Sequence, residues 1–219
     1  MTRTAPGVAA VVAALLLGVT ACGNDAGASV GSLQPPAAKK SHSAPADKKP
    51  KGSLAGLVVL PRGYVDDTQN TTGPFTASAF LGNWSAEPAT DRALLLNAAF
   101  VEGYRTTGLS PDKKKRFTLQ LFKAGSAAKA RALQRGFWSQ ETHERSFGVP
   151  EALSDAGVEY DGGANQSVAT AEVSLVVGTL VAELSVRQTG ALGTDLQPDT
   201  ALLSTLAKQQ RARLTPTSS

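Results

Sequence analysis

Two runs late in the chain constrain the fold most. Ala169, Ala171, Val173 and Leu175 fall on one face of an extended segment, and Leu180, Ala182, Leu184 and Val186 fall on one face of the next. Glu183, Ser185 and Arg187 occupy the opposite face of that second run. A period of two is the signature of a strand with one buried face. Gly178 lies between the runs, where a tight turn favours a residue free to take positive φ. The reading is an antiparallel hairpin, which needs further strands and a covering layer to hide its apolar side.

The rest of the chain supplies both. Phe117, Leu119 and Leu121 alternate with more polar neighbours, and Ala98–Thr107 upstream is strand-like, with Gly103 marking a bulge or a close approach. Ser110-Pro111-Asp112-Lys113 reads as the turn between them. Pro88 opens a helix through Leu94-Leu95-Leu96, where its missing donor costs nothing. Ser126 is placed to cap a second helix, whose apolar face is Ala130, Leu133 and Phe137. Asp199 starts a final helix with an inner stripe of Leu202, Leu203, Leu206, Ala207 and Gln210. Phe75–Phe80 reads as one helical turn, Asp66–Gly73 as a polar turn, and Leu57–Leu60 as a short strand or a segment packed under a loop. Strands bunched in pairs predict an α+β fold. Its expected form is an antiparallel sheet of about four or five strands packed against two or three helices, with the helices on one side.

The N-terminus carries a different kind of information. A basic start at Arg3 leads into an almost wholly apolar Val8–Val19 and then small residues before Cys22, the sole cysteine. That order is the order of an export signal. The apolar run falls short of the roughly 20 residues a membrane-spanning helix needs. Val19-Thr20-Ala21-Cys22 resembles the bacterial lipobox, with Val in place of the preferred Leu. The resemblance implies cleavage before Cys22, lipid attached to its thiol, and a location on the outer face of the cytoplasmic membrane. The expected organisation is a signal peptide over 1–21, a lipidated cysteine and Pro/Lys-rich tether over 22–53, one α+β domain over 54–214, and a disordered tail over 215–219. The tether is too poor in large apolar residues to fold.

Charge separates along the same boundary. Gly23–Gly52 holds five lysines against Asp25 and Asp47, whereas from Ser53 onward 16 Lys and Arg balance 16 Asp and Glu. A nucleic-acid binder carries its positive footprint on the domain, so no nucleic-acid partner is expected. The excess charge suits anionic head groups instead, at up to about 1 kcal/mol per lysine near the surface.

Motifs for chemistry are sparse. The domain has one histidine, His143, and no cysteine, so zinc has too few of its usual ligands. Glu141, His143 and Glu144, or acidic stretches at Asp66-Asp67 and Asp155/Glu159/Asp161, are the nearest approaches to a metal set, and none has a known ligand spacing. No nucleophile elbow or phosphate loop occurs. Neither catalytic residues nor a metal or other cofactor are therefore assigned. Two surface features stand out. Lys113, Lys114, Lys115 and Arg116 form the densest charge in the domain and are candidates for anionic contact. Phe137 and Trp138 are adjacent in a helix and cannot share a face, so one belongs to the core while the other reaches an edge. Trp138, Phe137 and Tyr104 are the candidate groove residues.

Ala99-Phe100-Val101-Glu102-Gly103-Tyr104-Arg105, Phe117–Phe122, Ala127–Leu133 and Leu206–Gln210 resemble a broad actinobacterial group of secreted or membrane-tethered domains. The group includes extracytoplasmic sensor domains of some serine/threonine kinases. The resemblance implies an α+β sheet with a groove and a binding or sensing role; with no kinase sequence alongside it, sensing would need a partner. The expected function is a non-enzymatic envelope lipoprotein that binds an apolar or amphipathic ligand or a partner protein. The alternatives are a structural or protein-docking lipoprotein and an envelope hydrolase.

Overall fold

The structure is a computed structural model that describes residues 53–216. The signal segment, Cys22, the tether up to Gly52 and residues 217–219 lie outside the described residues.

One antiparallel sheet organises the domain. Its strands are β1 (Val65–Asp66), β2 (Gly73–Phe75), β3 (Glu102–Leu109), β4 (Lys115–Lys123), β5 (Ala152–Asp161), β6 (Gln166–Val177) and β7 (Leu180–Ala191). They run in the order β1-β3-β4-β7-β6-β5, with β2 also paired to β3. The helices are α1 (Ala77–Asn83), α2 (Pro88–Asn97), α3 (Ala127–Trp138) and α4 (Thr200–Leu214), preceded by a short 3-10 turn at Leu54–Leu57. The α+β class and the antiparallel sheet are as expected. Seven strands and four α-helices exceed the four or five and two or three that the sequence suggests.

The late hairpin forms as expected, with its turn at Gly178. Val177 pairs with Leu180 and Val173 with Leu184, with Gly178 in the turn at φ +58°. Extending the register across β4 aligns Phe117, Leu119 and Leu121 with Val186, Leu184 and Ala182. These residues and their β6 partners make one wholly apolar face, which α4 covers with Leu203, Leu206 and Ala207. Asp199 caps α4 as expected, its Oδ1 accepting from the Leu202 N–H at 3.1 Å.

The other face is divided. Phe122, Val181 and Val176 form its apolar upper row, packed under α1, α2 and α3 with Phe75, Phe80 and Leu133. Helices therefore cover both faces, not one. Two residues along each strand, Gln120, Glu183 and Ser174 put polar side chains on the same face instead. Ser126 caps α3 through the Lys129 N–H, as the sequence suggests. Gly103 marks a close approach: a Cβ there would lie 2.2 Å from the Phe75 ring. That ring stacks or edges against Phe80, Trp84, Phe100 and Phe122.

Two further readings need correction. Phe75–Phe80 is not one turn; the chain enters α1 at Ala77, capped by Thr76. Residues 98–101 leave the helix and only Glu102 onward is strand, with Ala99 at φ 47° making the bend. Asp155, Glu159 and Asp161, an acidic stretch considered as a metal set, are spread along β5, where they alternate with Ala156, Val158 and Tyr160.

Candidate functional site

Below the apolar upper row, the divided face has two rows of polar side chains. Register sets Arg105, Gln120, Glu183 and Ser174 side by side, then Thr107, Thr118, Ser185, Glu172 and Asp155. α3 touches the first of these rows through Gln134, whose Nε2 donates to the Ser174 carbonyl at 2.8 Å, and stops short of closing over the rest. The step from covered to uncovered sheet leaves a cavity of about 340 Å³.

Its walls come from helix ends. Trp84 is the C-cap of α1 and Trp138 the last residue of α3, so both indoles project where their helices stop. Phe80, Phe122 and Phe137 continue the aromatic wall. The floor is Gln120 and Thr118 from β4, Glu183 and Ser185 from β7, and Glu172 from β6. Glu87, Asp91, Gln140 and Glu141 close the rim. Asp91 ties that rim together: its carboxylate accepts from Ser85 Oγ at 2.5 Å and from Gln140 Nε2 at 2.8 Å. Gln140 Oε1 is buried and has no hydrogen-bond partner.

His143 fixes the Trp138 wall. The two rings stack 3.9 Å apart and 9° from parallel, while the imidazole Nε2 donates to the Trp138 carbonyl at 2.7 Å. Its Nδ1 lies 4.0 Å from Asp155 Oδ2. Trp84 is held differently. Phe75 edges against it at 5.5 Å, and the Arg105 guanidinium sits over its ring at 5.1 Å.

The floor carboxylates are electrostatically uncomfortable. Burial pushes Glu183 up to about 8, with Glu172 and Glu141 adding repulsion, although Ser174 Oγ donates to it at 2.7 Å. Burial likewise pushes Glu172 up to about 7, reinforced by Glu141, Asp155 and Glu159. Near neutral pH both values favour protons on the cavity floor.

Of the sequence-predicted groove residues, Phe137 and Trp138 meet in this cavity. Tyr104 does not join them. It pairs across from Leu121 and packs on the α4 side of the sheet, because residues of opposite parity on β3 face opposite ways. The basic cluster divides as well. Lys115 Nζ reaches Asp199 Oδ2 at 2.6 Å, and Arg116 Nε donates to Asp67 Oδ2 at 2.8 Å. Only Lys113 and Lys114 stand free at the β3–β4 tip. Trp84, Glu172, Glu183 and Gln140 escaped sequence reasoning. One signal was available: a two-residue turn at Gly178 fixes Glu172 diagonal to Glu183 on one face, a like-charge pairing that costs stability unless something uses it.

Among the described residues no group of three or more His, Cys, Asp or Glu could hold a metal ion, and no helix is long and apolar enough to cross a membrane. No protein-family model matches the chain. No curated protein matches it either. Among solved structures, the extracellular domain of PknH from Mycobacterium tuberculosis is similar, with a TM-score of 0.45 and 9% identity over 73% of this chain and 93% of that one.

Proposed function

We propose that the chain is a non-enzymatic, lipid-anchored envelope protein whose domain binds an amphipathic small molecule in the cavity between the helix ends and the polar sheet rows. One observation carries this reading: aromatic side chains wall the cavity while polar groups floor it. An amphipathic molecule satisfies both halves at once, and 340 Å³ falls at the low end of the roughly 300–1,000 Å³ of small-molecule sites. The engagement of His143 with Trp138 supports a binding role over a hydrolytic one, since the domain's single histidine is used as a ring support. Lipid on Cys22 would hold the domain at the outer face of the cytoplasmic membrane, with Lys113 and Lys114 free to meet anionic groups there.

Native mass spectrometry of the full chain, purified from an actinobacterial host, tests both parts. The expected polypeptide begins at Cys22 and carries lipid mass, and it retains a non-covalent small molecule that Trp138→Ala releases. A free Cys22 thiol would remove the anchor. A bare chain whose tryptophan signals no amphiphile perturbs would remove the binding function.

A second reading, docking of a partner protein, is favoured by one feature. Leu96 is 74% exposed and Val101 59% exposed, beside a small apolar depression lined by Ala77, Leu81, Leu95 and Phe100.

A further inference from the structure

The polar half of the cavity has one sign. Carboxylates face it from the start of α2 (Glu87, Asp91), from the loop after α3 (Glu141), from β6 (Glu172) and from β7 (Glu183), and no Lys, Arg or His is among its lining residues. The domain as a whole is balanced in charge, so this concentration is local. One of the neutral polar groups points the same way chemically: Gln140 Oε1 is a buried acceptor that lacks a donor, beside Gln120, Thr118 and Ser185 on the floor. The indoles add to it. An aromatic face attracts cations, and Trp84 already holds the Arg105 guanidinium over its ring. An acceptor without a donor, carboxylates without counter-ions and π faces share a preference for a cation that donates hydrogen bonds.

We infer that the cavity takes an organic ammonium ligand, with its N–H groups on Glu183, Glu172 and Gln140 Oε1 and its apolar body against Phe80, Phe137 and the two indoles. This rests on the cavity being the binding site and names the class of molecule it selects. A metal ion suits the site poorly, because one wall of the lining is aromatic and the described residues offer no ligand group of three. A bound ammonium would take the place of the protons now held on the floor. Binding therefore releases protons and strengthens as pH rises from about 6 to about 8. Burial of Glu172 and Glu183 sets this window, with Glu141, Asp155 and Glu159 beside Glu172; the other charged or titratable groups around the cavity are Glu87 and Asp91 on the rim, Arg105 over Trp84 and His143 behind Trp138.

The test titrates the full chain with octylammonium, octanoate and octanol and follows the indole N–H resonances of Trp84 and Trp138, the chain's two tryptophans. Octylammonium is expected to shift both resonances saturably, with at least about tenfold higher affinity than either analogue and with a rise in affinity across the pH window. Glu183→Gln is expected to weaken octylammonium about tenfold and to leave octanol unchanged, as loss of one charge-assisted contact implies. If octanoate or octanol binds as well as octylammonium, or Glu183→Gln has no effect, the ammonium assignment is overturned while the cavity stands as a site. If none of the three moves either indole, the cavity reading fails and this inference fails with it.

Discussion

Glu183 and Asp67 are two buried carboxyls with opposite consequences. Burial dominates at Glu183, where the single donor Ser174 Oγ does not offset it, so the neutral form is favoured. Burial also pushes Asp67 up, but donors from Asn70, the Gln69 N–H and Arg116 outweigh it and hold the group below the usual carboxylate range. The signs follow by linkage. Stability from Asp67 is present above the ordinary carboxylate range and is lost as pH falls through its lowered value. Stability from Glu183 is complete below its ordinary 4.5 and is lost as pH rises through about 8. Glu183→Gln keeps the neutral form at every pH. Thermal melts should place it near the parent protein at about pH 5 and increasingly above it toward about pH 9, by at most about 5 kcal/mol. Melting curves that stay parallel across that range would show that the carboxyl is not pushed up.

At the scale of elements, α4 shows how one polar residue belongs in an apolar stripe. Gln210 is wholly buried, its Oε1 accepting from the Val59 N–H at 2.9 Å and its Nε2 donating to the Leu57 carbonyl at 2.7 Å. It thus clips the first described segment onto the last helix. Gln210→Leu would fit the stripe by size yet strand both backbone groups, and we expect a loss of about 2–4 kcal/mol by chemical denaturation. A loss below about 0.5 kcal/mol would mean that water replaces the amide. The sequence placed Gln210 in the stripe correctly, but its partners lie some 150 positions away, and no local pattern encodes them. Helix starts were legible for the opposite reason. Ser126, Asp199 and Pro88 act on backbone groups within three residues of themselves. The strand β5 was not legible because its inward positions are Ala152, Ser154 and Ala156, too small to raise a hydrophobic period, between conspicuous acids. The strands β1 and β2 have two and three residues and exist only where β3 offers an edge.

At the scale of the molecule, the sheet works because its two faces are chemically unlike. One is apolar across β4, β7 and β6 and makes the core with α4. The other is apolar for a single row and then polar, so the apolar packing of the helices ends with that row, and the cavity begins there. The alternation in β7 already announced Glu183 and Ser185 as a second face. What the sequence concealed is that β4 joins β7, an antiparallel pairing between strands separated by α3, β5 and β6. That pairing puts Gln120 beside Glu183 and makes two hairpins into one floor. Phe137 and Trp138 were found from helical geometry alone, since the end of α3 is a local matter. Trp84 was not, because its place depends on where α1 stops against Phe75.

The Gln210 clip also fixes how this domain can be handled. It gathers the beginning and the end of the described chain on the α4 side of the sheet, whereas the cavity opens on the other. A fluorophore, an affinity handle or a solid support joined at Ser53 or Pro216 attaches behind the face that bears the cavity and leaves the path to the indoles clear. The same adjacency makes the fold a candidate for circular permutation: a short linker could close the old ends, and the Gly162-Gly163 turn between β5 and β6 offers a place to open new ones without cutting either face.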